Sequence, residues 1–209
     1  DDTLSVPHEY DLTPYVQPGE HTITVRIDNR MLVDVGENAH SVSDHTQTNW
    51  NGAVGELILR ATDRVWIDDV QVYPDVAKRR VRVRIEVGNG TGAAVEGELH
   101  LAAEGYNTPA PHVPPPLGLS LTLGTAREVV EAVYELGPEA QLWDEFHPAL
   151  YRLTVALSAR DAGGGANAQY ADVREVTFGL REFGVEGTQF TVNGRKTFLR
   201  GTLECAIFP

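Results

Sequence analysis

The sequence predicts an all-β protein built of β-sandwich blocks. Arg80-Val81-Arg82-Val83-Arg84-Ile85-Glu86-Val87 alternates polar and apolar residues without a break, so one face is wetted while the other packs a core. Leu117 to Leu123 and Tyr151 to Leu157 repeat the pattern. Gly, Pro and Asn signals separate roughly ten to twelve such runs, as in an all-β chain. Only Arg127 to Leu136 has helical character, and it is ambiguous. Val129, Val130, Val133 and Leu136 fit a helical period, whereas Val130, Ala132, Tyr134 and Leu136 fit a period of two. Its β-branched content favours a strand.

Each element has its own signal. Thr22 to Asp28 predicts a strand with Ile23, Val25 and Ile27 inward, following a turn at Gln17-Pro18-Gly19-Glu20. Val65 to Tyr73 predicts another, with Asp68-Asp69 breaking its register as a bulge does. Pro74-Asp75 marks a boundary between a first block, 1–75, and a second, 76–180. Pro109 to Pro116 holds five prolines in eight residues, too many for a central strand, and predicts a loop. Gly163-Gly164-Gly165 is a loop tip. Asn193-Gly194 lies between Phe190-Thr191-Val192 and Lys196-Thr197-Phe198 and predicts a hairpin, because a type I′ turn needs positive φ at both positions. No internal repeat or low-complexity tract is visible. The chain opens without a start methionine and stops at Pro209, close behind a fresh apolar stretch, which reads as a fragment or a processed product.

Composition narrows the partners. The 209 residues correspond to between one and two domains at about 150 residues each, and 42% of them are apolar, enough for a real core. Seventeen basic against thirty acidic residues leave a formal charge of −13. That argues against nucleic acid and against an anionic membrane surface, both of which need a basic face. No apolar run of about 18 residues exists to span a membrane. A single cysteine, Cys205, excludes an internal disulfide framework and a Cys-rich zinc site. It leaves an extracytoplasmic home, periplasmic or secreted, open and slightly preferred.

Catalytic constellations are sought and not found. His40-Ser41-Val42-Ser43-Asp44-His45 brings two imidazoles and a carboxylate close in sequence, but their spacing matches neither a helical nor a strand ligand pair. The stretch reads as a hydrogen-bonded loop or a loop that contacts a ligand, and neither a metal nor a cofactor is expected. His8, His21, His100, His112 and His147 are scattered and read as structural or exposed. No Gly-x-Ser-x-Gly elbow and no phosphate-binding loop occurs. Asp68-Asp69 and Asp144-Glu145 are adjacent, so on strands their side chains diverge rather than form an acid/base pair. Trp50 lies within Thr46-Gln47-Thr48-Asn49-Trp50-Asn51-Gly52. An indole face among amides suits the apolar face and hydroxyls of a sugar; equally, Trp50 could plug the sandwich while Asn49 and Asn51 cap turns.

Three stretches, in order, resemble glycoside hydrolase family 2, the β-galactosidase/β-glucuronidase/β-mannosidase group. Tyr10-Asp11-Leu12-Thr13-Pro14-Tyr15-Val16, with Pro18-Gly19-Glu20-His21 and Val25-Arg26-Ile27-Asp28-Asn29, is similar to that family's sugar-binding jelly roll, and Trp50-Asn51-Gly52-Ala53-Val54 to its "W-x-G-I". Leu142-Trp143-Asp144-Glu145-Phe146-His147-Pro148-Ala149-Leu150-Tyr151 resembles "L-W-x-P-x-x-P-x-L-Y" of the immunoglobulin-like domain, and Phe178-Gly179-Leu180-Arg181 resembles "F-G-F-R". Phe190-Thr191-Val192-Asn193-Gly194-Arg195-Lys196-Thr197-Phe198-Leu199-Arg200-Gly201 resembles "F-x-L-N-G-x-P-x-x-L-R-G", the entrance to the catalytic TIM barrel.

The resemblance implies a partial jelly-roll domain over 1–75, an immunoglobulin-like β-sandwich over 76–180 and the start of a truncated barrel over 181–209. It implies a parent that is a retaining, β-galactosidase-like glycosidase, hydrolysing terminal β-linked sugars with two carboxylates about 5 Å apart. In the family both are glutamates beyond the first barrel strand, so no residue here is carried over as catalytic. Leu203 and Cys205 stand at the Asn and His of the family's "L-R-G-x-N-x-H", which removes a family substrate contact at Cys205. Two groups are implied to touch a carbohydrate substrate in the intact enzyme: Asp44, His45, Gln47, Asn49 and Trp50 from a jelly-roll loop, and Arg200 with Glu204 at the end of the first barrel strand. Arg200 could instead make a structural ion pair. A jelly roll without its N-terminal strands has open edges, so the chain is expected to form an intermolecular contact, as in a homo-oligomer, or to be marginally stable. The alternatives are a non-catalytic carbohydrate-binding or adhesion module of tandem β-sandwiches, and a structural spacer.

Overall fold

The computed structural model describes residues 7–28, 30, 34, 36, 52–53, 55–163 and 168–202. It is all-β: ten strands and, among the described residues, no helix, hence none long and apolar enough to cross a membrane. The chain divides into two compact units, Asp1–Leu59 with Gly201–Pro209, and Arg60–Arg200.

The larger unit holds every strand among the described residues. Seven of them form a β-sandwich: β1 (Val65–Asp75), β2 (Arg80–Asn89), β3 (Val95–Gly105), β4 (Leu117–Leu123), β5 (Glu128–Glu135), β6 (Tyr151–Asp161) and β7 (Gln169–Phe178). One sheet has the order β1-β2-β5 and the other β4-β3-β6-β7, with antiparallel pairing throughout. This is an immunoglobulin-like arrangement in which the fourth strand pairs with the third rather than joining the first sheet. Alternation places the core as expected. Val81, Val83, Ile85 and Val87 of β2 are fully buried, and they meet Leu99, Leu101, Leu153 and Val155 of the facing sheet in one cluster. Arg127 to Leu136 resolves in favour of the period of two: Ala132, Tyr134 and Leu136 point inward, and Val129 and Val133 are about half exposed.

A side-chain seam joins the two sheets where β1 approaches β7. The bulge expected at Asp68-Asp69 is present as a register shift between Ile67 and Asp69. The Ile67 backbone is satisfied from outside its own sheet. Its N–H donates to Asp172 Oδ2 at 2.9 Å, and its carbonyl accepts Arg174 Nε at 3.1 Å and Arg60 Nη2 at 2.9 Å. The Ala171 N–H donates to Asp63 Oδ2 at 2.8 Å. Ile67 is fully buried, so Asp172→Ala leaves its N–H without an acceptor and should cost about 1–3 kcal/mol in urea unfolding. Asp172→Asn keeps an oxygen acceptor and should cost less.

At the other end of the sandwich, Tyr151 opens β6 as a tyrosine corner. It is fully buried, its ring stacks on Phe178 at 5.6 Å between centroids, and His112 meets its edge at 5.5 Å. Its hydroxyl accepts the Gln141 N–H at 2.8 Å and bonds His112 Nδ1 at 2.8 Å. The proline-rich segment 109–116 is the loop expected, and it is fastened here: the Gly105 N–H donates to the His112 carbonyl at 2.8 Å, and Gln141 Nε2 to the Ala110 carbonyl at 2.8 Å.

Two expectations need correction. The boundary at Pro74-Asp75 falls at the end of β1, next to the β1–β2 turn, and β1 belongs to the sandwich because all but one of its residues pair with β2. Thr22 to Asp28 forms no strand, and Ile23, Val25 and Ile27 are 58%, 65% and 51% exposed. A strand exists through its neighbour, and among the described residues no segment pairs with this one. Local order here is short-range instead: the Tyr15 N–H donates to the Leu12 carbonyl at 2.9 Å, the Thr13 N–H to Asp11 Oδ1 at 2.9 Å, and Arg30 grips Asp28 at 2.6 Å.

Candidate functional site

Two of the three sequence stretches, those around Trp143 and around Asn193, converge on one junction within the larger unit. The Trp143 loop, 142–148, packs beside a small antiparallel sheet of β8 (Phe183–Glu186), β9 (Gln189–Val192) and β10 (Arg195–Lys196), ordered β10-β9-β8. The Asn193-Gly194 turn has φ of 51° and 74°, the doubly positive pair that the hairpin requires. That turn does more than reverse the chain. The Asn193 N–H donates to the Glu182 carbonyl at 2.8 Å, its Oδ1 accepts the Glu182 N–H at 2.9 Å, and its Nδ2 donates to the Trp143 carbonyl at 2.9 Å. One amide therefore holds three segments: the turn, the start of β8 and the Trp143 loop.

Packing and charge complete the junction. Trp143 lies over Gly179, where an added Cβ would sit 3.0 Å from the Trp143 Cβ, and Arg181 covers the indole at 4.7 Å. The Leu142–Leu180 bridge and the Trp143 N–H to Leu180 carbonyl bond at 3.1 Å tie the loop to the end of β7. Arg195 pairs with Glu145 at 2.8 Å and stacks on Phe146 at 5.1 Å. Asp144 accepts the N–H groups of Phe146 and His147, both at 2.8 Å. Those two backbone donors hold its carboxyl below the usual carboxylate range. On a strand the side chains of Asp144 and Glu145 would diverge. They sit in a loop, yet the conclusion is the same, because each carboxylate is committed to its own partner. Asp68 pairs with Arg127 at 2.8 Å and Asp69 accepts Gln71 Nε2 at 2.7 Å, again separately. Among the described residues no group of three or more His, Cys, Asp or Glu could hold a metal ion.

Of the sugar-contacting residues implied by the resemblance, Asp44, His45, Gln47, Asn49, Trp50 and Glu204 lie outside the described residues. Arg200 is described; it is exposed, and residues 197–202 form no strand. An open trough crosses the outer face of the four-stranded sheet, bordered by Glu96, Glu98, Ser120, Thr122, Ser158 and Arg160. Tyr170 also lines it, but that ring packs against the core and does not stand as an open platform for a sugar. Sequence reasoning missed the role of Arg195 and Asn193 in fastening the junction. The signal was present in the paired occurrence of the Trp143 motif and the Asn-Gly turn, both of which entered only as separate motifs.

Comparison with known proteins settles the kinship. Residues 65–181 match the family described as glycosyl hydrolases family 2, a stretch that begins on the first residue of β1 and ends just beyond β7. The chain belongs to glycosyl hydrolase family 2. Over 199 residues it is 23% identical to the beta-galactosidase large subunit of Latilactobacillus sakei, covering 93% of this chain and 28% of that relative. It is 25% identical to a beta-galactosidase of Priestia megaterium (strain DSM 319 / IMG 1521), again over 93% of this chain, and covers 18% of that relative. The chain thus spans well under a third of the curated relatives it matches. A solved family 2 structure from Bacteroides cellulosilyticus DSM 14838 superposes with a TM-score of 0.51 at 18% identity, over 67% of this chain and 19% of the other. At that identity the likeness speaks for the fold, and it agrees with the all-β sandwich described above.

Proposed function

We propose that this chain is the non-catalytic scaffold of a retaining β-glycosidase of β-galactosidase type, with the catalytic carboxylates carried elsewhere in the protein. The family 2 match over residues 65–181, which are the sandwich, carries this reading. The committed state of Asp144 and Glu145 supports it. In this reading residues 1–59 contribute a jelly-roll sugar-binding domain, residues 60–180 the sandwich, and the β8–β10 sheet the approach to a catalytic barrel. Asp44, His45, Gln47, Asn49, Trp50, Arg200 and Glu204 are the proposed carbohydrate contacts.

The test is kinetic. In the full-length protein, Asn49→Ala or Trp50→Ala should lower kcat/KM on a chromogenic β-galactoside by roughly ten- to a hundredfold at unchanged melting temperature. A loss of stability with kcat/KM preserved would assign these residues to packing and remove the sugar site. Turnover of any β-glycoside by the 209-residue chain alone would defeat the scaffold reading.

A further inference from the structure

Among the described residues the three sheets have six edge strands, and five of them carry charge: β1, β5, β7, β8 and β10. Charged side chains and bulges are the means by which proteins keep sheet edges from pairing with other chains. β4, Leu117-Gly118-Leu119-Ser120-Leu121-Thr122-Leu123, has neither. Its seven residues pair with β3 in one unbroken register, and no strand of the described residues lies on its other side. Its outward positions are Gly118, Ser120 and Thr122; a Cβ added at Gly118 would meet nothing within 4 Å. Its inward leucines are unevenly covered: Leu121 and Leu123 are buried, whereas Leu117 and Leu119 are only partly so.

We propose that the β4 edge is a self-association surface, pairing antiparallel with β4 of a second copy of this chain about a two-fold axis at Ser120. The strand is close to its own complement under that operation. Leu117 faces Leu123 of the other copy, Leu119 faces Leu121, Gly118 faces Thr122, and Ser120 faces its own counterpart. Such a self-complementary patch is what an isologous dimer requires. The partly exposed Leu117 and Leu119 gain apolar neighbours, and the backbone groups on the open side of the edge gain partners, as in β-strand addition.

Charge selects this site for a second copy. A chain of net charge −13 repels itself over most of its surface, and β4 is the neutral edge where approach is permitted. The nearest outward carboxylates on the same sheet, Glu96 and Glu98, lie one strand further in on β3. Across the dimer they would be three strand spacings apart, about 14 Å, beyond a screening length of about 8 Å at physiological salt. The paired edges bury less than a standard stable interface, so the dimer is weak and depends on concentration. The three prolines Pro114, Pro115 and Pro116 precede the strand and confine pairing to these seven residues.

Sedimentation velocity on the chain, from low micromolar to several hundred micromolar, should show a reversible monomer–dimer equilibrium. Ser120→Lys and Thr122→Lys, each outward on the edge, should abolish the dimer at unchanged melting temperature. Thr154→Lys, outward on the central strand β6, adds the same charge and should leave the dimer intact. A chain that stays monomeric throughout overturns the proposal. So does a dimer that survives Ser120→Lys, or association that runs past the dimer into open-ended assemblies.

Discussion

Replacing Tyr151 with alanine is expected to cost the sandwich about 3–5 kcal/mol, a large share of the roughly 5–15 kcal/mol that holds a domain of this size. The ring is fully buried against Phe178 and His112, so truncation opens a cavity at one end of the core. The hydroxyl adds a separate effect. In Tyr151→Phe the ring stays, but the Gln141 N–H and His112 Nδ1 lose their partner, and a loss of about 1–3 kcal/mol should remain. Urea unfolding followed by tryptophan fluorescence separates the two variants. A Tyr151→Phe variant as stable as the parent would show that the corner hydroxyl is replaceable by water.

The same hydroxyl, with that of Tyr134, gives the sandwich an alkaline limit. Burial pushes both phenols above their usual range, because a buried phenolate loses its solvation. The folded state therefore holds these protons more tightly than the unfolded one. Their contribution is fully present below about pH 10, the unfolded value, and is lost as pH rises through the higher folded values. Melting temperature should hold up to that point and fall beyond it, and Tyr151→Phe should flatten the fall.

Asn193→Ala is the second large effect. Alanine at φ 51° pays a left-handed backbone penalty of about 1–2 kcal/mol. It also gives up the bonds to the Glu182 N–H, which water reaches, and to the part-buried Trp143 carbonyl, which adds about 0.5–1.5 kcal/mol. The loss should fall on the β8–β10 sheet rather than on the sandwich, whose core does not include Asn193. Limited proteolysis should then cut within 183–197 while residues 65–178 stay protected. Asn193→Gly restores the backbone preference without the amide, so it should recover part of the loss. Full recovery would mean that the turn conformation alone fastens the junction.

Much of the sandwich was legible because alternation reports which face of a strand is buried. β2, β4 and β6 followed from their patterns, and the Asn-Gly hairpin and the Asp68-Asp69 bulge followed from local backbone chemistry. Pattern does not report the neighbour. Thr22 to Asp28 alternates as well as β6 does, yet it forms no strand, and β1 reads equally well as the end of a first block or the start of a second. Its allegiance rests on pairing with β2 and on Asp172 and Arg174, more than a hundred residues away. The tyrosine corner was hidden for the same reason. Tyr151 occupies an ordinary inward position of an alternating run, and its distinguishing bonds go to His112 and Gln141, which no local rule connects to it. Residue chemistry alone pointed to the Trp50 loop as one that could meet a sugar, the resemblance supplied the rest of the implied contacts, and all of them but Arg200 lie outside the described residues.

The seam between β1 and β7 sets how the sandwich can open. Side chains from one sheet satisfy the backbone of the other along that margin, and at the opposite margin β5 does the same through Tyr134 Oη, which accepts the Ala103 N–H, and Glu128 Oε1, which accepts the Gly124 N–H. Both margins are therefore latched, and the weak line is the unpaired outer edge of β4, so amides near Ile67 should be among the slowest to exchange with solvent deuterium and those on the open edge of β4 among the fastest.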